Sequence, residues 1–530
     1  MKRWRGWGME NDAVPVEVKS SLRNLLEMLV GSPTPLPVVT LDEVIAQVPA
    51  SRLGDHPLID ISPEARVRHA RGQSLPDWLA MRSGDVGVFP DGVATPNSTE
   101  QVRQLLDYAE AQNIAVIPYG GGTSVVGHIN PDADKRPLLT IDMVDFDELM
   151  RVDHDSLLAT FGAGATGPRI EAQLQQHGYT LGHYPQSWEF STAGGWVASR
   201  SSGQQSLHYG RIEQLFAGGR METMAGTLDI PTLPASSAGP DVREMVLGSE
   251  GRMGIITEVA LRVSPQPEEE HFKVVFLTSW EAGLKLAMAL VHGRVALSML
   301  RLSNPMETAS LLAMGQGEKP DGVGMGHVML TLAATGSAQQ CLANLGIAHQ
   351  MCAEHGAIED IQGLGEHWHE GRFHAPYLRD PLGDAGYAVD TMETAVDWSS
   401  VADTAERVER AISTALADEG ERVLAYTHLS HVYRQGSSIY TTYVFRPGAS
   451  YAEALQRWHK IKAAGASEIV ACGGTISHQH GVGRDHRNYL EAEKGALGIA
   501  AINQLCKLFD PRGQMNPGAL LPDQPTSNER

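Results

Sequence analysis

Cysteine is nearly absent from this chain. Only four occur in 530 residues, Cys341, Cys352, Cys472 and Cys506, without a pairing pattern or short ligand spacing, which excludes a disulfide scaffold and a cysteine-rich metal site. Basic side chains are also scarce. Forty-two Lys and Arg face 63 Asp and Glu, a net charge of -21, so a broad footprint for nucleic acid is excluded and any phosphate must be met locally. Long apolar runs are missing too: LKLAMALVHGRVALSML, from Leu284 to Leu300, is broken by His292 and Arg294 and falls short of a membrane span. It reads as a buried helix followed by a strand. The leading MKRWRGWGMENDAVP has no apolar signal-peptide core, and the closing TSNER matches no peroxisomal or retention tail. The expectation is a cytoplasmic protein. Repeats and low-complexity tracts are absent.

An apolar content of 42% supports a sizeable core in roughly two to four domains. Residues 1–84 are Pro-broken, with the basic stretch ARVRHARGQSLPDWLAMR near their end, and read as a wrapping segment with short helices. From Gly87 the pattern sharpens: GVFPDGVATP is a strand, and NSTEQVRQLLDYAEAQ is a helix with Ser98 and Gln101 at capping-box spacing and Val102, Leu105, Leu106 and Ala109 on one face. IAVIP follows as a buried strand that runs into YGGGTSVVGH, and GPRIEAQLQQHG from Gly167 is a second helix. The resulting divisions are 1–84, a domain over 85–267, a second over 268–465 opening near the acidic junction SPQPEEEHF, and a closing segment over 466–530.

Three successive glycines after a strand reach dihedrals closed to other residues and let neighbouring N–H groups face one concavity, which holds a pyrophosphate without cationic side chains. A plain tight turn is the simpler reading. Two common nucleotide patterns do not fit, because Val125 stands where the Rossmann fingerprint needs glycine and no Gly-Lys-Ser/Thr follows. A second stretch of small residues, GHYPQSWEFSTAGGWVASRSSG, mixes serines and paired glycines with Tyr184, Trp188, Phe190 and Trp196. A third lies in GPDVREMVLGSEGRMGIITE, at residues 248–251. Several such loops, each beside an apolar strand, suit one long polar ligand.

Arg301 in LRLSN and Arg379 in PYLRD follow apolar residues, and a buried arginine needs an anionic partner. A salt bridge to Asp380 or simple exposure is the alternative. SSIYTTYVF alternates as a strand, with Tyr440 and Thr442 on one face and Ile439, Thr441 and Tyr443 on the other. A tyrosine ionises near pH ~10 and needs cationic neighbours or a relay to act as a base. SHQHGVGRDH sets His478 and His480 two apart, on one side of an extended segment, with Gln479 opposite. A metal site there lacks a third ligand at local spacing.

These motifs, with RWRGWG, HVYRQGSSIYTTYVF and FDPRGQMNPG, stand in the order seen in alkylglycerone-phosphate synthases. The chain resembles that family, within the FAD-linked oxidases of the vanillyl-alcohol-oxidase fold, over nearly its whole length. The resemblance implies an α+β architecture: a PCMH-type FAD-binding domain of two α+β subdomains, and an α+β cap domain of the FAD-linked oxidase C-terminal type. It implies FAD contacts at Pro118, Gly120, Gly121, Gly122, Thr123 and Ser124, at Pro185, Gln186, Ser187, Ser191, Thr192, Gly194, Gly195, Trp196 and Ser199, and at Glu250, Gly251, Gly254, Ile255 and Ile256. Members that attach FAD covalently often end the first loop Gly-Gly-His. Here it ends Gly121-Gly122-Thr123, so FAD is expected without a covalent bond, with His128 the nearest histidine.

The family's reaction exchanges the acyl group of acyl-dihydroxyacetone phosphate for a long-chain alcohol, in ether lipid biosynthesis, with no net redox change. Carried over, Tyr440, His478, His480 and Arg379 are catalytic, Arg301, Arg379 and Gln479 bind substrate, and no metal takes part. The expected partners are the phosphorylated lipid and the alcohol, with peripheral membrane contact, a homodimer and no nucleic acid. The family normally reads Ser-His-His-His-Gly-Val-Gly, so Gln479 is a departure; glutamine cannot shuttle a proton near neutrality. That favours the rival reading, an FAD-dependent dehydrogenase or oxidase of a glycerol phosphate or 2-hydroxy acid. A flavin-holding protein without catalysis would leave Tyr440, Arg379 and the histidines without a shared purpose.

Overall fold

Ser98 opens the first long helix of the glycine-loop region, Thr99–Gln112, by accepting from Gln101 N at 3.3 Å, and Asn113 closes it in the left-handed region. Val102, Leu105, Leu106 and Ala109 form its buried face, as their spacing requires. Only half of the anticipated capping box forms, because Gln101 Oε1 accepts from Asn97 N at 2.9 Å. The structure, a computed structural model, describes residues 1–12, 20–313, 320–360 and 363–522; the TSNER tail lies outside the described residues.

The chain divides into two compact units, each built from separated segments. One takes residues 37–202, 211–265 and those from 479 onward; the other takes 1–36, 203–210 and 266–478. Residues 1–84, read from the sequence as one wrapping piece, thus contribute to both.

The first unit holds a four-stranded sheet of β1 (Ile59–Asp60), β2 (Gly92–Ala94), β3 (Ala115–Tyr119) and β4 (Leu138–Asp142), in the order β1-β2-β4-β3. Strands β2, β4 and β3 run parallel. Residues from the end of the chain extend this sheet, since Val116 N donates to Gln514 O and Asn516 N to Val116 O. Five further strands, β5 (Leu149–Asp153), β6 (Leu158–Gly162), β8 (Phe216–Thr223), β9 (Gly226–Ile230) and β10 (Ile255–Arg262), form an antiparallel sheet in the order β5-β6-β10-β8-β9. The short β7 (Tyr179–Thr180) and β11 (Ser264–Pro265) pair with each other.

The second unit is organised on a seven-stranded antiparallel sheet of β12 (Glu269–Leu277), β13 (Met299–Ser303), β14 (Val328–Gly336), β15 (Ile358–Glu359), β16 (Ala388–Asp397), β17 (Leu424–Leu429) and β18 (Gly436–Phe445). Their order is β15-β12-β14-β13-β17-β18-β16. Leu300, Leu302, Leu330, Leu429 and Ile439 point to one face, where helices Trp280–His292, Ala338–Glu354 and Trp398–Thr414 bury them. Alternation along each strand turns the intervening residues to the opposite face. Both units mix helices with largely antiparallel sheet, the α+β class expected. Among the described residues no helix is long and apolar enough to cross a membrane.

Candidate active site

In the first unit, strand β3 delivers Pro118 and Tyr119 to the triple-glycine loop. An added Cβ would lie 2.4 Å from Thr192 Oγ1 at Gly120, 1.9 Å from Phe190 O at Gly121 and 2.1 Å from the Tyr119 hydroxyl at Gly122. The loop therefore lies against the 190–192 segment at a distance only glycine permits, and Gly122 also has a positive φ of 70°. Thr192 caps helix Ala193–Ser199 by accepting from Gly195 N, and a Cβ at Gly194 would meet Ala163. Ser191 Oγ accepts from Trp196 Nε1 at 2.7 Å, and Ser199 donates to Gly195 O.

The aromatics of this stretch have structural places. Trp196 is buried in the core with Phe161 and Phe216, and the Trp188 ring fills the space that a side chain at Gly167 would need. His183, which sequence reasoning passed over, meets Ser201 Oγ at 2.7 Å. Burial, reinforced by Arg211, pushes its imidazole down to about 3, so it is neutral. At the third loop Ile255 enters the core of the four-stranded sheet and Ile256 that of the five-stranded one. Ile255 is 1% exposed and Ile256 9%. Glu250 is 6% exposed, and its carboxylate accepts from Val482 N at 2.6 Å and Gly483 N at 2.8 Å.

These residues fit FAD. The glycine-only packing of the first loop on the second makes a backbone cradle suited to a pyrophosphate, and in the adjoining serine stretch Ser202 Oγ is buried without a hydrogen-bond partner.

The second unit carries a polar row on the sheet face opposite the helices. Register sets Ser303 beside His428, His428 beside Tyr440 and Tyr440 beside Glu393, one residue from each of β13, β17, β18 and β16. The His428 and Tyr440 rings stack, with centroids 4.9 Å apart. Tyr440 donates to Thr391 Oγ1 at 3.1 Å. Burial pushes its phenol well above its ordinary value, Glu393 and Asp390 add to that, and Thr391 and Arg379 pull the other way.

Arg301, two residues before Ser303, donates to Glu307 Oε1 at 2.7 Å. Glu307 sits in the first turn of helix Pro305–Ala313, where Asn304 Oδ1 accepts from its N–H. Burial alone would raise this carboxyl, but Arg301 and His428 hold it down to about 2. The anion partner that the sequence required for Arg301 is thus an internal glutamate. Arg379 opens helix Arg379–Asp384, while Asp380, its sequence-suggested partner, lies 3.9 Å from Arg5.

His478 is buried, with Nε2 2.6 Å from the Tyr433 hydroxyl, Nδ1 3.8 Å from Glu393 Oε2, and its ring centroid 5.0 Å from that of His431. Ser477 donates to Glu393 at 3.2 Å. Residues 478–480 bend instead of running extended, and Gly481 and Gly483 beyond them take positive φ, so the spacing of His478 and His480 does not set them on one side of a strand. Gln479 and His480 are half-buried in the turn. Among the described residues no cluster of three His, Cys, Asp or Glu could hold a metal ion. Sequence reasoning missed Glu307, His428, Glu393, Tyr433 and His431. His428 and His431 bracket the THLSH segment at the end of β17, and that was the available signal.

Comparison with known proteins accords with this arrangement. The FAD binding domain model matches residues 90–229, and the model for the C-terminal domain of FAD linked oxidases matches residues 266–520. An alkyldihydroxyacetonephosphate synthase of Dictyostelium discoideum is 29% identical over 88% of this chain and 79% of its own. That of Trypanosoma brucei brucei is 26% identical over 99% of this chain and 93% of its own. A solved alkyldihydroxyacetonephosphate synthase superposes with a TM-score of 0.82 at 25% identity, covering 97% of this chain and 98% of that one. With both domain models matched in order and relatives aligned over most of their length, the chain carries an FAD binding domain and the C-terminal domain of the FAD linked oxidases and is a homologue of the alkyldihydroxyacetonephosphate synthases.

Proposed function

We propose that this flavoenzyme exchanges the acyl group of acyl-dihydroxyacetone phosphate for a long-chain alcohol. The observation that carries the reading is the row Ser303, His428, Tyr440 and Glu393, which sets a phenol among proton-bearing groups on one sheet face. Homology to synthases along most of the chain supports it.

FAD, when bound by the loops at residues 120–124, 185–199 and 250–256, supplies the electrophile. Tyr440, which burial keeps protonated at rest, first yields its own proton to a neighbouring base and then takes a proton from the substrate carbon that carries the ester oxygen. The bond from that carbon to the ester oxygen breaks and the fatty acid leaves as carboxylate; the alcohol oxygen then bonds to the same carbon as its proton is removed. The proton taken from the carbon returns to it, so electrons balance with no external acceptor. His478, with Tyr433 at 2.6 Å and Glu393 nearby, handles protons on the departing and entering oxygens together with His480. Arg379 lowers the cost of charge on Tyr440, and Arg301 and Arg379 hold the phosphate, with Gln479 a hydrogen-bonding contact to substrate.

Because both substrates are lipids, peripheral contact with a membrane in a cytoplasmic setting belongs to the same proposal, as does a homodimer. Gln479 favours the rival dehydrogenase of a glycerol phosphate or hydroxy acid. The flavin spectrum decides between them: under anaerobic conditions the exchange returns the oxidised spectrum once alcohol is added. Bleaching that persists until a dye accepts electrons sinks the proposal.

A further inference from the structure

Glu250 is not glycine, yet it is held at a φ of +51°, and its carboxylate grips two successive amides. Oε1 accepts from Val482 N and Oε2 from Gly483 N. Oε1 also lies 3.2 Å from His128 Nε2, while the other ring nitrogen of His128 meets Ser124 Oγ at 2.9 Å. Asn516 Nδ2 donates to both backbone carbonyls of this pair, Glu250 O at 2.6 Å and His128 O at 3.0 Å. The turn answers this grip residue by residue. At Gly481 a Cβ would lie 2.5 Å from His128 Nε2 and 2.8 Å from Glu250 Oε1, and at Gly483 it would lie 2.1 Å from Val126 O; both glycines have positive φ. Arg484 N then donates to Val126 O at 2.9 Å.

A carboxylate directed at a pyrophosphate would repel it. Here the charge is instead met by two N–H dipoles, in charge-assisted hydrogen bonds stronger than neutral ones, with the His128 ring packed beside them. We propose that Glu250 and His128 are positioning residues, which lock the turn at 479–483 onto the first and third glycine loops and so fix where His480 stands. This rests on the proposed function, in which His480 moves a proton. It reassigns Glu250: its side chain serves the turn, and only its backbone remains for FAD.

The test uses FAD-loaded Glu250→Gln and His128→Gln, each alone and combined with His480→Ala. In Glu250→Gln, the Val482 and Gly483 amides exchange with deuterium about tenfold faster or more, FAD content stays at the wild-type level, and kcat for alkyl transfer falls about tenfold with little change in KM. His128→Gln gives a smaller effect of the same kind and guards against misfolding of the first variant. Added to His480→Ala, neither substitution lowers the residual rate further, because both act through that histidine. Unchanged exchange at 482 and 483, losses that multiply with His480→Ala, or loss of FAD without faster exchange would each overturn the proposal. Amide exchange needs no turnover, so a wild type that transfers no alkyl group but shows the exchange response defeats the reaction assignment and leaves the positioning role standing.

Discussion

Arg301 Nη2 lies 2.7 Å from Glu307 Oε1, and that same oxygen is 2.8 Å from His428 Nδ1. One buried carboxylate therefore neutralises the arginine and lies against the imidazole that stacks on Tyr440. Removing either charge alone strands the other, at about 3 to 5 kcal/mol, whereas replacing both is often near neutral. Arg301→Met is expected to lower Tm by several degrees, and Arg301→Met with Glu307→Gln to recover most of it. If Arg301 also anchors phosphate, KM for the phosphorylated substrate stays raised about tenfold or more in the recovered double variant. A KM that recovers with Tm would restrict Arg301 to a structural role.

Acid stability follows from the same glutamate. Its folded pKa of about 2 lies below its ordinary 4.5, so its contribution is complete above the ordinary value and is lost as pH falls from there toward 2. Thermal scans of wild type and Glu307→Gln should show a Tm gap that is wide near neutrality and narrows below about pH 4.5. A gap independent of pH contradicts the assignment.

FAD is expected to leave the protein on acid precipitation and colour the supernatant. Thr123 ends the first loop where covalently linked relatives often place histidine, and both ring nitrogens of His128 are directed elsewhere, to Ser124 and Glu250. Yellow colour retained in the washed pellet refutes it.

Local patterns were legible and long-range meetings were not. Helix Thr99–Gln112 was written in the Ser98 cap and a helical apolar spacing, and the exposure of Tyr440 to one face followed from alternation in β18. The meeting of Glu307 with His428 carries no such signal, because it arises only after the sheet orders β13 beside β17. Glu393 reaches Tyr440 by pairing across β16 and β18 in the same way. The turn that follows His480 has no local signal, because Glu250, which holds its Val482 and Gly483 amides, lies more than two hundred residues away. Nor does any local feature tell that residues 514–516 return to the edge of β3.

Tyr440→Phe should keep FAD and most stability, since the lost hydroxyl makes one hydrogen bond to Thr391, typically worth about 1 kcal/mol. Release of fatty acid and formation of the ether should both fall by about a hundredfold or more, because both follow the same proton removal. Fatty acid release by the variant at the wild-type rate, measured in the absence of alcohol, would take the base role from Tyr440.

Exchange without net redox change is decided by anaerobic incorporation of a labelled long-chain alcohol. Purified FAD-loaded protein is given acyl-dihydroxyacetone phosphate and the alcohol, with no dye and no nicotinamide. Labelled ether lipid and free fatty acid are expected in equal amounts over many turnovers per flavin. No incorporation, with dye reduction by a glycerol phosphate or hydroxy acid instead, contradicts it.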